Sequence, residues 1–295
     1  MHIGILSRSG QLYSTRRIYR AGTQRGHTMH LIDHTRCSLV LDGNRPNIWY
    51  NGKPMHHLDA VIPRIGASVT KIGAAVIDQF ETMGIVTTTS ASALLRARDK
   101  LRCQQLLVKH GIPTPRTVMV ARHQNMHQAV ARVGGYPVIV KLLESTHGIG
   151  VELAYDFMGL QRISRGLFRY EERLLVQEFI AECKGADIRA LVVDGQVVAS
   201  MKRQAKEGEF RSNLHRGATA IPIELSAEEE QLVLTVCSVM GIHISGVDLL
   251  PSARGPLVIE VNASPGLEGI EGATKVNIAD AIIRLVERQV KVQTN

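Results

Sequence analysis

Aromatic side chains are scarce: one Trp, five Phe and six Tyr make up 4% of the 295 residues. So few rings leave little for stacking successive bases, which argues against a single-strand nucleic-acid platform. Cysteines number four, at positions 37, 103, 183 and 237, with no C-x-x-C pair. That spacing argues against a cysteine metal cluster or a disulfide framework and fits a reducing, cytoplasmic setting. Long apolar runs are missing as well. No stretch approaches the roughly 18 unbroken apolar residues of a membrane span. The opening "MHIGILSRSG" reads as a short strand and a polar turn, not as a signal peptide. There are no repeats and no low-complexity tracts. Neither a Walker loop nor G-x-G-x-x-G occurs, and no Ser-His-Asp or Cys-His set stands out.

What is present is basic and mixed. The formal charge is +8, from 35 Lys and Arg against 27 Asp and Glu, and it is scattered along the chain. Such a surface favours anionic partners, among them nucleotide phosphates and acidic peptides, over a specific nucleic-acid role. The length is enough for two domains with ample cores.

Up to about residue 111 the grammar is strand, helix, strand. "MHIGILS", "HTMHLID" and "LDAVIPRIG" read as strands, the last leaving Arg64 at its end. "YSTRRIYRAGTQRG" and "IGAAVIDQFETMG" read as helices, and "IVTTTSASALLRARDKLRCQQLLVKHG" as a strand and turn leading into one long helix ended by Gly111. This order predicts an α/β domain with a parallel sheet. "IPTPRT" (112–117) is a Pro-punctuated crossing. Beyond it, strands pair through tight turns and the class becomes α+β. "VVDGQVVA" is the clearest hairpin, because Asp-Gly favours a two-residue turn. Helices are expected at about 123–133, 156–171, 226–240 and along the C-terminal "NIADAIIRLVERQVK".

The chemistry collects where polar residues interrupt apolar strands. In "VIEVNASPGLEGIE" (258–271), Glu260 and Asn262 lie two apart, so in a strand they share one face. A charge on such a face needs a partner, and an oxygen-loving cation is one. A strand lying in solvent is the plainer reading of this stretch alone. "ISGVDLL" supplies Asp248 on what reads as a neighbouring strand. "YPVIVKLL" places Lys141 inside an apolar strand, either snorkelling to solvent or meeting a phosphate, and the following "ESTHGIGV" is a small-residue turn able to cover phosphates. "LLVQEFI" ends at Glu178 and Phe179, a strand end whose backbone edge can read an adenine, and Asp187, at the next strand, could meet ribose hydroxyls; a solvated strand end and a turn residue are the plainer readings of Glu178 and Asp187. "KRQAKEGEFRSNLHRG" (202–217) concentrates cations with Ser212 and Asn213, either as a solvated loop or as a phosphoryl-holding one.

Taken together, "RARDK", "VIVKLLESTHGIGV", "VQEFI", "DIRALVV", "FRSNLHRGA", "GVDLL" and "IEVNASPGLEGIE" resemble the ATP-grasp ligases and, within them, the RimK branch of alpha-L-glutamate ligases. The resemblance runs nearly end to end. It implies an ATP-grasp domain over 96–295, with a smaller lid-like part around 115–185, preceded by an α/β pre-ATP-grasp domain over 1–95. It further implies that Lys100 and Lys141 hold ATP phosphates, that Glu178 and Phe179 read adenine, and that Asp187 serves the ribose side. Arg211, Ser212 and Asn213 would touch ATP and the moving phosphoryl group. Asp248, Glu260 and Asn262 would hold two Mg²⁺ or Mn²⁺ ions, with Glu260 bridging. Arg189 and Arg203 are candidates for steadying an acylphosphate or an acceptor carboxylate. The implied reaction adds L-glutamate to the C-terminus of a protein acceptor of the ribosomal small-subunit type, without a membrane. Ligation of a different amino acid, carrier protein or coenzyme-like acceptor, or nucleotide binding without turnover, stays open, as does a homo-oligomer. An acidic acceptor tail drawn by the basic loop, through Arg216 in particular, is a further expectation. Two departures from the branch concern loop geometry: Gly217-Ala218 in place of Gly-Gly, and Ser145-Thr146-His147-Gly148 in place of Gly-Thr-Gln-Gly.

Overall fold

The parallel sheet expected at the N-terminus forms from β1 (His2–Leu6), β2 (Thr28–Ile32), β6 (Ala60–Pro63) and β7 (Val86–Thr87) in the order β2-β1-β6-β7. Residues 1–43, 45–121, 125–143, 150–170, 172–214 and 217–294 are described by this computed structural model. β6, "AVIP", is buried at every position, as a central parallel strand covered on both faces must be. α1 (Tyr13–Gln24) and α2 (Thr70–Thr82) link the pairs. Between β2 and β6 lies a small antiparallel sheet, β3 (Ser38–Val40), β4 (Asn47–Tyr50) and β5 (Lys53–Pro54), whose short strands carry too few residues to show alternation.

The single long helix expected before Gly111 is two helices. α3 (Ala91–Arg98) ends at Asp99, whose side chain accepts from the N–H groups of Leu101 and Arg102 and so caps α4 (Lys100–Lys109). An Asp satisfying two orphan donors starts a new helix where apolar spacing alone would run on. The break leaves Lys100 at the first position of α4.

A four-stranded antiparallel sheet follows, ordered β10-β9-β11-β8, from β8 (Thr117–Ala121), β9 (Val138–Leu142), β10 (Val151–Ala154) and β11 (Arg173–Glu178). α5 (Met126–Val133) and α6 (Phe157–Leu167) cover it and share a core of Val130, Val138, Leu160 and Val176. The third large sheet, ordered β14-β13-β12-β15-β16, is built from β12 (Ala186–Val193), β13 (Gln196–Gln204), β14 (Thr219–Pro222), β15 (Ile244–Leu250) and β16 (Leu257–Asn262). Asp194 and Gly195 have φ of 53° and 71°, the pair of positive values a type I′ turn needs, so the Asp-Gly hairpin forms as read. β12 is buried on both faces. Ile188, Ala190 and Val192 pack with α7 (Ala227–Met240), whereas Leu191 and Val193 pack with α9 (Ile278–Thr294). α8 (Glu268–Thr274), absent from the sequence reading, follows β16.

Candidate functional site

The row of polar residues on the large sheet is set by strand register. Asp187 of β12 lies opposite Arg203 of β13, Arg189 opposite Asp248 of β15, and Asp248 opposite Glu260 of β16. Residues opposite one another in antiparallel strands share a face, so three neighbouring pairs line one side of the sheet. The register slips between Asp248 and Leu249, with Ile259 as the extra residue of β16. This bulge lets Val258 and Val261 both enter the core while Glu260 faces the cleft.

The row is tightly paired at its centre. Arg203 donates to Asp187 at 2.7 and 2.5 Å and lies 3.0 Å from Asp248; Arg189 donates to Asp248 at 2.6 and 2.5 Å. Burial pushes the Asp248 carboxyl up, but the two guanidinium groups outweigh it and hold it below the ordinary range. The Arg203 guanidinium, buried yet flanked by Asp248 and Asp187, is held firmly protonated. At the edge of the row, Glu260 makes no hydrogen bond or ion pair among the described residues. Asn262, two residues on, has a buried Nδ2 without a partner among the described residues. Asp248 already has both oxygens on Arg189 and Arg203, so it is the unpartnered Glu260 carboxylate that fits a cation such as Mg²⁺ or Mn²⁺, with Asn262 able to add its amide oxygen.

Across the cleft stands the smaller sheet. Lys141 of β9 donates to Gln177 of β11 at 2.6 Å. Burial first, then the nearby Lys100 charge, pull its pKa down to about 8, against the attraction of Glu260. Lys100 Nζ donates to the Leu143 carbonyl at 3.3 Å, which brings α4 to the same cleft. Arg211 is clamped by both oxygens of Glu209 at 3.0 Å, reaches the Val151 carbonyl at 3.1 Å, and sits 5.0 Å from the Phe210 ring centre. The Arg211 hydrogen bond is the main reason Glu209 falls to about 2. Phe210 meets Phe179 edge to face at 6.5 Å.

The cleft holds about 910 Å³ of space, part of it open to solvent. Of the residues singled out in the sequence, it brings together Lys100, Lys141, Glu178, Phe179, Asp187, Arg203, Arg211, Ser212, Asn213, Asp248 and Glu260. Arg189 and Asn262 do not line it; the first stands behind Asp248 and the second beyond Glu260. The Glu178 carboxylate is occupied by Arg116, at 2.8 and 2.9 Å, and by Arg254. Burial raises its pKa, and these hydrogen bonds reverse the shift. What Glu178 and Phe179 can offer a ligand is therefore mainly strand-end backbone, since the pairing of β11 stops at Glu178. Asp187 likewise has both oxygens on Arg203 and does not reach out as a free carboxylate. The small-residue turn at 144–149, together with His215 and Arg216, lies outside the described residues. Sequence reasoning missed Gln177, Arg116, Arg254, Glu209 and Phe210. Only Glu209, two residues from Arg211, left a local signal.

Comparison with solved structures fixes the class of fold. The ATP-grasp ligase PsnB complexed with a minimal precursor aligns with a TM-score of 0.75 over 100% of this chain and 98% of that one, at 20% identity. D-alanine–D-alanine ligase from Bacillus anthracis aligns with a TM-score of 0.70 over 100% and 99%, at 16% identity. The fold is thus ATP-grasp with a parallel-sheet domain ahead of it. Residues 97–286 match the RimK-like ATP-grasp domain and residues 1–94 the RimK PreATP-grasp domain. A probable alpha-L-glutamate ligase from Syntrophotalea carbinolica is 49% identical over 291 residues, 99% of this chain and 97% of the relative. One from Vibrio vulnificus is 48% identical over 295 residues, 100% and 98%. The chain belongs to the RimK-like ATP-grasp family.

Proposed function

We propose that the chain is an ATP-dependent ligase that adds L-glutamate to the C-terminal carboxylate of a protein acceptor, of the ribosomal small-subunit type. The single observation that carries this reading is the facing of two cationic elements, Lys100 and Lys141, across one cleft from the Asp248–Glu260 pair. That arrangement suits a polyphosphate with its counter-ions. The names of the full-length relatives support glutamate as the amino acid. The separate sheets support a division into 1–95 and 96–295, with the β8–β11 sheet as the lid-like part around 115–185.

In the proposed sequence, an acceptor carboxylate oxygen takes the γ-phosphoryl group of ATP and ADP leaves. The glutamate amine then attacks the acyl carbon, phosphate departs, and the amine gives up a proton as the amide forms. No side-chain nucleophile is needed; positioning and charge compensation supply the rate. Lys141 and Lys100 neutralise phosphate oxygens. Arg211, fixed by Glu209 and bonded to the Val151 carbonyl beside Lys141, adds its charge together with Ser212 and Asn213. Arg203 and Arg189 hold Asp248 ionised and oriented, a positioning role on which any contact to the acylphosphate would build. Two Mg²⁺ or Mn²⁺ ions would be held by Asp248, Glu260 and Asn262, and would offset phosphate charge when bound. The adenine would lie at the Phe179 end.

Intact mass spectrometry of small-subunit ribosomal proteins incubated with the enzyme, ATP, Mg²⁺ and L-glutamate tests the reading. Successive gains of one glutamyl residue on one protein, dependent on ATP, are expected. Gains with another amino acid but none with glutamate would refute the substrate assignment.

A further inference from the structure

Beyond the metal-side end of the cleft lies a group of donors that the proposed chemistry has not used. Arg64 follows β6, and its N–H bonds to the Leu6 carbonyl at the end of β1. From β1 the chain passes through α1 to β2 on one side of the sheet, and from β6 through α2 to β7 on the other. The C-terminal ends of β1 and β6 therefore flank the point where the strand order reverses, the crevice in which open parallel sheets bind ligands. The Arg64 guanidinium crosses from there to the carbonyl of Pro265, at 2.5 Å, just past β16. Arg98, at the end of α3, donates to the Ile65 carbonyl at 2.6 Å.

Neither guanidinium has a carboxylate partner among the described residues. Their known bonds are one carbonyl each, out of five N–H groups per side chain. Among the described residues the Nε of Arg98 is buried without an acceptor, and Asn262 Nδ2 and Ser264 Oγ, on the segment that Arg64 reaches, are buried without a partner. Burial, and then the Arg98 charge, pull Arg64 down to about 10, so it remains a cation at neutral pH. Arg98 is lowered by burial and supported by Glu260. Two neighbouring part-buried cations with unpaired donors on the segment one of them reaches are costly, and an anion with several acceptor lone pairs would relieve them. Planar guanidinium forks match a carboxylate. Arg64 and Arg98 are not among the residues that line the cleft, yet Glu260 attracts both Arg98 and Lys141, so this group adjoins the place where the nucleotide reacts.

The geometry points to a carboxylate-binding subsite formed by Arg64 and Arg98, with Ser264 and Asn262, next to Glu260. This proposal rests on the ligase reading and deepens it. The carboxylate has two sources in that reaction, free L-glutamate and the C-terminus of the acceptor.

Calorimetry separates them. The enzyme loaded with Mg²⁺ and a non-hydrolysable ATP analogue is titrated with L-glutamate and, separately, with a peptide of the acceptor C-terminus. Arg64→Gln and Arg98→Gln should each weaken one of the two about tenfold to a hundredfold, the loss expected for a charge-assisted hydrogen bond, while analogue affinity changes little. A shift in the glutamate arm assigns the subsite to the incoming amino acid; a shift in the peptide arm assigns it to the activated carboxylate. Unchanged affinity in both arms, or an equal fall in carboxylate and nucleotide affinity, overturns the subsite. If the Gln variants fold poorly, Arg64→Lys and Arg98→Lys keep the charge, lose the fork, and are read by the same criteria. Failure of the ligase reading is distinguishable: wild-type enzyme would transfer no glutamate, yet the arginine variants would still lose carboxylate affinity.

Discussion

Lys141 combines burial, a hydrogen bond to Gln177 and a pKa near 8 on one side chain. Its charge is thus partly lost in mildly alkaline solution. ATP affinity should fall as pH rises past about 8, and Lys141→Met should lower affinity at neutral pH and remove that dependence. For stability the sign is opposite. Between about 8 and the ordinary 10.5 the unfolded chain binds the extra proton, so the fold gains as pH rises through that window. Calorimetric titration with ATP across pH checks the first and thermal melts the second. Glu260→Ala should cut ligation about a hundredfold or more while the melting temperature stays near wild type, since among the described residues the carboxylate makes no hydrogen bond or ion pair to lose. Wild-type-like turnover at saturating ATP and Mg²⁺ would contradict the assignment. Lys141, Asp248, Glu260 and Asn262 were legible in the sequence because a polar residue inside an apolar strand is conspicuous. Arg116 and Arg254 were not, because they meet Glu178 from 62 and 76 residues away and nothing local marks the pairing.

Helix caps carry the account at the next scale. Asp99 ends one helix and caps another, and only that break brings Lys100 to the start of α4 with its amine on the Leu143 carbonyl. Asp99→Ala should cost about 1 kcal/mol and also raise the KM for ATP. Ser226→Ala is its control. Ser226 and Glu229 form a capping box on α7, far along the chain from the lysines, so a similar loss of stability should leave the KM for ATP unchanged. Denaturant melts and ATP kinetics on the two variants decide the matter. The Asp-Gly hairpin was readable because turn chemistry is local. The break at Asp99 was hidden, since the apolar spacing runs through it. The bulge at Ile259 was equally hidden, because a bulge is defined by the partner strand and not by its own sequence.

Over the whole molecule, the parallel sheet and the large antiparallel sheet share two cores, one on each face, whereas the β8–β11 sheet has its own. This organisation follows from the change of grammar near residue 112, which the sequence displays, but which faces pack together is set by contacts far apart in the chain. His34 is fully buried, neither ring nitrogen has a partner among the described residues, and burial depresses its pKa below 6.5, with Asp33 opposing and Arg8 assisting. As pH falls through 6.5 the unfolded chain takes up a proton that the folded chain resists, so stability is lost on acidification. His34→Leu should raise the melting temperature more at about pH 5.5 than at neutral pH, by removing both the titration and the unpaired nitrogens. An equal effect at both pH values would contradict this.

The central claim is that the cleft between these sheets activates a carboxylate with ATP. Transfer of ¹⁸O tests it most directly. An acceptor peptide labelled with ¹⁸O in its terminal carboxylate is turned over with ATP, Mg²⁺ and L-glutamate, and the released phosphate is analysed by mass spectrometry. One labelled oxygen in each phosphate formed, matched to each amide made, is the predicted result. Amide formation with unlabelled phosphate would contradict the account.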